Sequence, residues 1–171
     1  MHFDPFAQTV AEIRILAAII TKTATTDLEQ RLASAGSQAG SLQHGILRLL
    51  FVQTATIAEL SGMMRVKPAT LVPAVDALEK AGLVKRGADP ADRRRIPLTL
   101  TKRGAALLER VPEVQRDDAL FQGVAKLGVD HCATLLSLLR ELVGELPDGR
   151  AAVEGIAAAR AAQAAPKTNS K

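Results

Sequence analysis

The stretch from Thr56 to Thr101, TIAELSGMMRVKPATLVPAVDALEKAGLVKRGADPADRRRIPLTLT, leaves little freedom in how it can fold. Ile57, Leu60, Met63 and Met64 recur at helical spacing, which predicts a short helix over 57–64. Thr54 or Thr56 is the natural N-cap, and Glu59, three residues after Thr56, completes a capping-box signature. Arg65-Val66-Lys67 breaks the pattern, and Pro68 suits the first position of a second helix. That helix sets Leu71, Ala74, Val75 and Leu78 on one face and stops at Gly82. Two short helices joined by a tight turn describe a helix-turn-helix.

The residues after Gly82 add a hairpin. Leu83 to Arg86 reads as a short strand, and Gly87 to Asp92 holds a Gly, a Pro and two Asp, all turn formers. From Arg95 to Thr101 the residues alternate in part, with Ile96, Leu98 and Leu100 expected on one side. Arg93, Arg94 and Arg95 crowd the tip. Three adjacent guanidinium groups cannot pack into a core, so the tip projects as a wing.

Charge is concentrated in this same stretch. From Arg65 to Arg103 there are ten Lys or Arg against four Asp or Glu, a local net of +6. The whole chain carries +4, so the remainder nets −2. A basic segment on a slightly acidic chain is the electrostatic footprint of nucleic-acid binding. With no Trp or Tyr and only four Phe, stacking on single-stranded bases is poorly served, which favours duplex DNA.

The flanks read as helical. Val10, Ile13, Leu16, Ala17, Ile20, Ala24, Leu28 and Leu32 keep helical spacing from about Pro5 to Ala35, a long N-terminal arm. Leu42, Ile46, Leu49, Leu50 and Phe51 form a helix that packs behind the helix-turn-helix. Thr101-Lys102-Arg103-Gly104 opens another, carrying Ala105, Leu108 and Val111, which Pro112 interrupts. A leucine-rich helix is expected to begin at Gly128 and Asp130. Its apolar stripe is too wide for a lone surface helix. Long apolar helices at both ends of a small reading core predict a dimer, with two reading heads on a palindromic duplex. Ala151 to Ala165 reads as helical on propensity, and Pro166 to Lys171 as disordered. The resulting division is an arm over 1–36, a winged helix-turn-helix over 41–104, dimerisation helices over 105–147 and an alanine-rich tail over 148–171. The fold class is mainly α with a small β-hairpin wing.

Other chemistry finds little support. One cysteine allows no intrachain disulfide. Cys132, beside Leu135 and Leu136, reads as a buried thiol, and Met63-Met64 as core packing. His131, with only His2 and His44 elsewhere, has no partners at metal-ligand spacing. No G-x-S-x-G, P-loop, His-Glu-x-x-His or dinucleotide loop is present, so neither an enzyme nor a cofactor is indicated. Without a signal pattern or an apolar run of spanning length, the expectation is a cytoplasmic chain with no membrane partner.

Leu78-Glu79-Lys80-Ala81-Gly82-Leu83-Val84-Lys85-Arg86, then Asp92-Arg93-Arg94, then Leu100-Thr101-Lys102-Arg103-Gly104 carry a resemblance. At this spacing the middle of the chain resembles the MarR family of bacterial winged-helix transcription regulators. The strong match covers about a quarter of the chain; each piece alone is weak, the combination specific. The resemblance implies a homodimer built from the first and last helices, with Pro68 to Ala81 in the major groove. It implies that Arg94 enters the neighbouring minor groove, that Asp92 orients nearby arginines, and that a small-molecule effector binds between arm and DNA-binding lobe. The candidate DNA-contacting set is Arg65, Lys67, Thr70, Leu71, Val72, Lys85, Arg86, Asp92, Arg93, Arg94 and Arg95.

The second helix departs from the family, which commonly has an arginine or another polar residue where this chain has Pro73, and often an arginine in place of Ala77. Lys67, Thr70 and Val72 are left to meet base edges, so shape readout by the wing is expected to carry more of the specificity. Two readings compete with a sequence-specific, ligand-responsive repressor. One is an architectural winged-helix protein of low sequence preference. The other is a helical interaction module whose basic wing docks an acidic partner.

Overall fold

The computed structural model describes residues 4–90, 92 and 95–164. The elements run α1 (Pro5–Ser34), α2 (Ser41–Val52), α3 (Ile57–Met64), α4 (Pro68–Lys80), β1 (Val84–Arg86), β2 (Leu98–Leu100), α5 (Lys102–Arg110), α6 (Ala119–Gly144) and α7 (Gly149–Ala164). They divide into two compact units, Met1–Gly123 and Val124–Lys171.

Local signals set most of the boundaries in the first unit. Asp4 caps α1 by accepting from the amides of Phe6 (3.0 Å) and Ala7 (3.3 Å), and Pro5 takes the first position. Thr56, rather than Thr54, caps α3: its hydroxyl accepts from the Glu59 amide (3.2 Å) while Glu59 accepts from the Thr56 amide (2.7 Å). Gly82, at φ 69°, ends α4 in the left-handed conformation that a side chain would strain. Pro112 has no amide to continue α5, which stops at Arg110.

The core lies between α2, α3, α4, α5 and the hairpin. Ile46, Leu47, Leu60, Leu71, Leu78 and Leu98 are among its fully buried side chains, each worth about 1.5–3 kcal/mol against exposure. β1 and β2 pair antiparallel, with Val84 opposite Leu100 and Arg86 opposite Leu98. Ala55 adds a one-residue third strand, exchanging both backbone bonds with Leu98 (2.8 and 3.3 Å). β2 is shorter than its alternation predicts. Pro97 supplies no ladder amide, so pairing starts at Leu98 and Ile96 stands exposed instead of joining Leu98 and Leu100. Helix α5 belongs to this core through Leu107, Leu108 and Val111.

The end of α1 is fastened here too, by groups far apart in sequence. Arg31 is largely covered and donates to the buried Asp118 carboxylate, to the Pro112 carbonyl (3.2 Å) and to the Glu113 carbonyl (2.7 Å). Asp27 is buried and caps α6 by accepting from the amides of Ala119 (3.2 Å) and Leu120 (3.0 Å). His44 lies 3.2 Å by its Nε2 from the Val111 carbonyl, and burial pushes its pKa down, outweighing that bond. Nearer the N-terminus Phe6, Val10, Ile13, Leu16, Ile19 and Ile20 are exposed along α1.

In the second unit α6 bends at Gly128, whose φ of 78° and ψ of 166° are non-helical. The leucine-rich segment does begin there, but helical residues from Ala119 precede it, earlier than expected. None of the side chains of α6 is buried, and Leu135, Leu136, Leu138, Leu139 and Leu142 stay exposed. Cys132 is therefore only half-buried, contrary to the expectation of a buried thiol; its Sγ lies 3.2 Å from the Val124 carbonyl. The alanine-rich segment is helical as α7, to Ala164. Residues 166–171, read as disordered from composition, lie outside the described residues. Among the described residues no helix is long and apolar enough to cross a membrane, and no cluster of His, Cys, Asp or Glu could hold a metal ion.

Candidate nucleic-acid interface

The turn between α3 and α4 is tight because Arg65 sits at φ 54°, in the left-handed region, at the end of α3. The Ser61 hydroxyl donates to the Val66 carbonyl (2.8 Å) and fixes the exit. Pro68 then starts α4 at once. Leu71, Val75 and Leu78 turn inward, while Ala69, Thr70, Val72, Pro73, Asp76, Ala77 and Lys80 form the outer face. Leu71 is 0% exposed, so it anchors the helix and cannot touch a duplex. That corrects its inclusion among DNA contacts: Leu71 lies on the buried stripe with Val75 and Leu78, and not on the outer face. Val72, at 40% exposed, is on the outer face.

The hairpin is held against the two helices by arginines. Arg86 donates to Asp76 (2.6 Å) and to Glu79 of α4, and the Arg86 amide adds a bond to Glu79 (3.2 Å). The carboxylate of Asp76 first, then Glu79, pushes the Arg86 pKa up. Arg95 donates to Glu59 of α3 (2.7 Å) and to Asp89 of the hairpin loop (3.2 Å). Bonds from Thr56, then from Arg95, hold Glu59 below the usual carboxylate range. Between wing and α3 lies an open recess of about 410 Å³, lined by Thr56, Ile57, Arg86, Asp92, Arg95 and Ile96 among others.

The structure gives the sequence-selected residues different roles. Arg65, Lys67, Thr70, Val72 and Lys85 are exposed. Arg86 and Arg95 turn their guanidinium groups onto carboxylates. Asp92 meets Arg95 through the backbone, its carbonyl accepting from the Arg95 amide (2.9 Å). Arg93 and Arg94 lie outside the described residues. Sequence reading missed the carboxylates Glu59, Asp76, Glu79 and Asp89 as wing supports. A signal existed for two of them: Asp76 and Glu79 are three apart on one helical face, and the chain returns past them as β1. Met63, expected in the core, is 42% exposed, with the Gln53 amide 3.5 Å from its sulfur; Met64 does pack on the core.

The motif Leu-Thr-x-x-Gly acquires a physical reason. Thr101 donates to the Gly82 carbonyl (2.7 Å) and its hydroxyl accepts from the Gly104 amide (3.1 Å), tying the end of α4 to the start of α5. A Cβ on Gly104 would stand 2.3 Å from the Leu83 carbonyl oxygen. Only glycine lets the helix approach so near.

A helix-turn-helix with its second helix outermost, followed by a two-stranded hairpin braced on both helices, is a winged helix-turn-helix. Residues 41–96 match the model of the MarR family. Among solved structures, a mutant of MarR from E. coli complexed with operator DNA superposes with a TM-score of 0.68 at 25% identity, over 82% of this chain and 99% of that one. A protein of Thauera aromatica named as a putative transcriptional regulatory protein for the hcr operon is 37% identical over 84 residues, 48% of this chain and 49% of that protein. Riboflavin kinase of Pyrococcus furiosus is 34% identical over 88 residues, 52% of this chain but 36% of the enzyme. The chain thus spans half or less of the curated relatives it matches. Over residues 41–96, the helix-turn-helix and most of the hairpin, the chain is similar to the MarR family.

Proposed function

We propose that this protein binds duplex DNA at specific sites and regulates transcription, as a homodimeric repressor released by a small molecule. The observation that carries the reading is the outer face of α4, set beside a braced hairpin in a segment of net charge +6. Pro68 to Lys80 enters the major groove, with Lys67, Thr70 and Val72 toward base edges and Arg65 and Lys85 toward phosphates. The wing tip, with Arg93 and Arg94, reaches the adjacent minor groove, where a narrow groove concentrates negative potential. Arg86 acts through the position of α4 and β1 rather than by touching DNA. The operator complex of the E. coli protein and the name of the Thauera protein support this reading.

Dimerisation is supported by the apolar side chains that α1 and, separately, α6 leave exposed, more than a soluble surface normally tolerates. Residues 1–36 and the segment after α5, to 147, supply the arm, and 148–171 a tail; the reading head, 41–104, takes in α5 as well, since Leu107, Leu108 and Val111 are part of its core. A two-fold dimer matches a palindromic operator, and an effector acts by favouring the dimer state whose reading heads miss the half-site spacing. The protein works in the cytoplasm, where the DNA is.

The test is binding to the DNA upstream of its own gene and to a scrambled duplex, each at two salt concentrations. Selective binding with a steep salt slope is expected. Equal, salt-sensitive binding to both duplexes would replace regulation with an architectural role. Absence of binding to either, at low salt, would favour a helical interaction module. Sedimentation equilibrium of the same sample reports the dimer, and a reporter fused to the upstream DNA separates repression from activation.

A further inference from the structure

The outer face of α4 has unusual chemistry for a reading helix. Ala69, Val72, Pro73 and Ala77 make most of it aliphatic. The helix PATLVPAVDALEK contains no Arg, Asn or Gln, so it lacks the side chains that pair in bidentate fashion with adenine, and the arginine that does so with guanine. Its one outer carboxylate, Asp76, is engaged by Arg86 (2.6 Å), so it does not present an uncompensated negative charge to the DNA. Lys67, just before the helix, and Lys80, near its end, are exposed, basic groups at the two ends of the strip.

We infer that α4 reads thymine methyl groups, with Val72 and Pro73 as the central specificity-determining residues and Ala69 and Ala77 at the ends of the strip. The inference rests on the DNA-binding reading above and names what the helix recognises. The thymine C5 methyl is the one apolar group a base pair offers in the major groove. An aliphatic strip gains by covering it. Over a G·C-rich groove the same strip covers base acceptors and amino groups without bonding them, which is penalised. Selectivity therefore arises from both terms. From Ala69 to Ala77 the strip rises about 12 Å, the length of three to four base pairs. Each half-site should hold a thymine-rich core of that length.

The test starts from the duplex that the full-length protein selects out of a randomised pool. Each thymidine is replaced in turn by deoxyuridine, which pairs identically with adenine and lacks only the methyl. Expected is a loss of about fourfold in affinity for each methyl beneath α4, and about fifteenfold when both half-sites are changed, with flanking positions silent. Val72→Ala, an exposed change that leaves the core intact, should abolish the thymine-over-uracil preference at one position and spare the others. Selected duplexes without thymine in the half-site core would overturn the inference, as would unchanged affinity on full uracil substitution. So would equal losses at every position including the flanks, which would trace to duplex stiffness. In those cases selective binding itself survives and the broader reading stands. Failure to select any duplex would remove both.

Discussion

Removing the Arg31 guanidinium should be the most damaging single change away from the interface. Arg31 lies 9% exposed and Asp118 8%, and Arg31 also serves the carbonyls of Pro112 and Glu113. Arg31→Ala takes the charged partner from a buried carboxylate and a donor from the half-buried Pro112 carbonyl. Breaking a buried pair from one side costs about 3–5 kcal/mol. Asp118 keeps one bond, from the Gln115 amide at 2.8 Å, so the lower end applies, about 3 kcal/mol. In a chain of this size that is roughly 6–12 °C in Tm. Replacing both partners, Arg31→Met with Asp118→Leu, restores volume and leaves no buried charge. The double variant should therefore lose less than the sum of the single ones, with a coupling of about 1.5 kcal/mol or more. Urea titration at one fixed protein concentration is the assay, since the stability of the proposed dimer would depend on concentration. A cost under about 1 kcal/mol for Arg31→Ala, or strict additivity in the cycle, would refute the reasoning.

Three other sites give sharp expectations. Gly104→Ala drives a Cβ to 2.3 Å from the Leu83 carbonyl oxygen and 2.6 Å from Leu100 Cδ1, and should cost about 2 kcal/mol by urea titration although alanine favours helix by about 1. Arg65→Gly relieves a left-handed backbone at φ 54° and should raise stability by about 0.5–1 kcal/mol, while lowering DNA affinity and the salt slope by about one ion. Burial, helped by Arg48 and Arg31 against the pull of Val111 and Glu113, depresses the His44 pKa in the folded chain. The unfolded chain then binds the proton more readily. Stability is full above the ordinary histidine value of about 6.5 and falls as pH drops below it, and His44→Gln should flatten that window in pH-resolved urea midpoints.

How much of the fold is legible in the sequence depends on how far apart the cooperating residues lie. Thr56 with Glu59, Pro68, Gly82 and Thr101 are caps and stops that act within a turn of themselves, and they place α3, α4 and the start of α5. Where one residue interferes with a local pattern, the reading slips by a few positions. Pro97 interrupts an apolar alternation and leaves Ile96 outside β2, and Gly128 makes one bent helix look like a helix start. Where partners are distant, no pattern exists to read. Arg31 and Pro112 are 81 positions apart and Asp27 and Leu120 are 93, so the fastening of α1 is a property of the packed chain alone.

The interface obeys the same rule in its electrostatics. A count of arginines in the hairpin treats each as a hand held out to phosphate, yet Arg86 and Arg95 are turned back onto Asp76, Glu79, Glu59 and Asp89. Three of these braces, Asp76, Glu79 and Asp89, enter the local net charge only as subtractions; Glu59 precedes the counted stretch and does not enter it at all. Net charge therefore describes the field at long range, and the pairing describes what holds the hairpin to α3 and α4. An arginine can serve a DNA-binding surface without reaching DNA. For α4 that division matters most: with Asp76 occupied by Arg86, what remains on the outer face is Thr70, Lys80 and a strip of aliphatic carbon. On the proposal made above, the specificity of such a helix would lie in methyl groups and in shape rather than in a hydrogen-bond code.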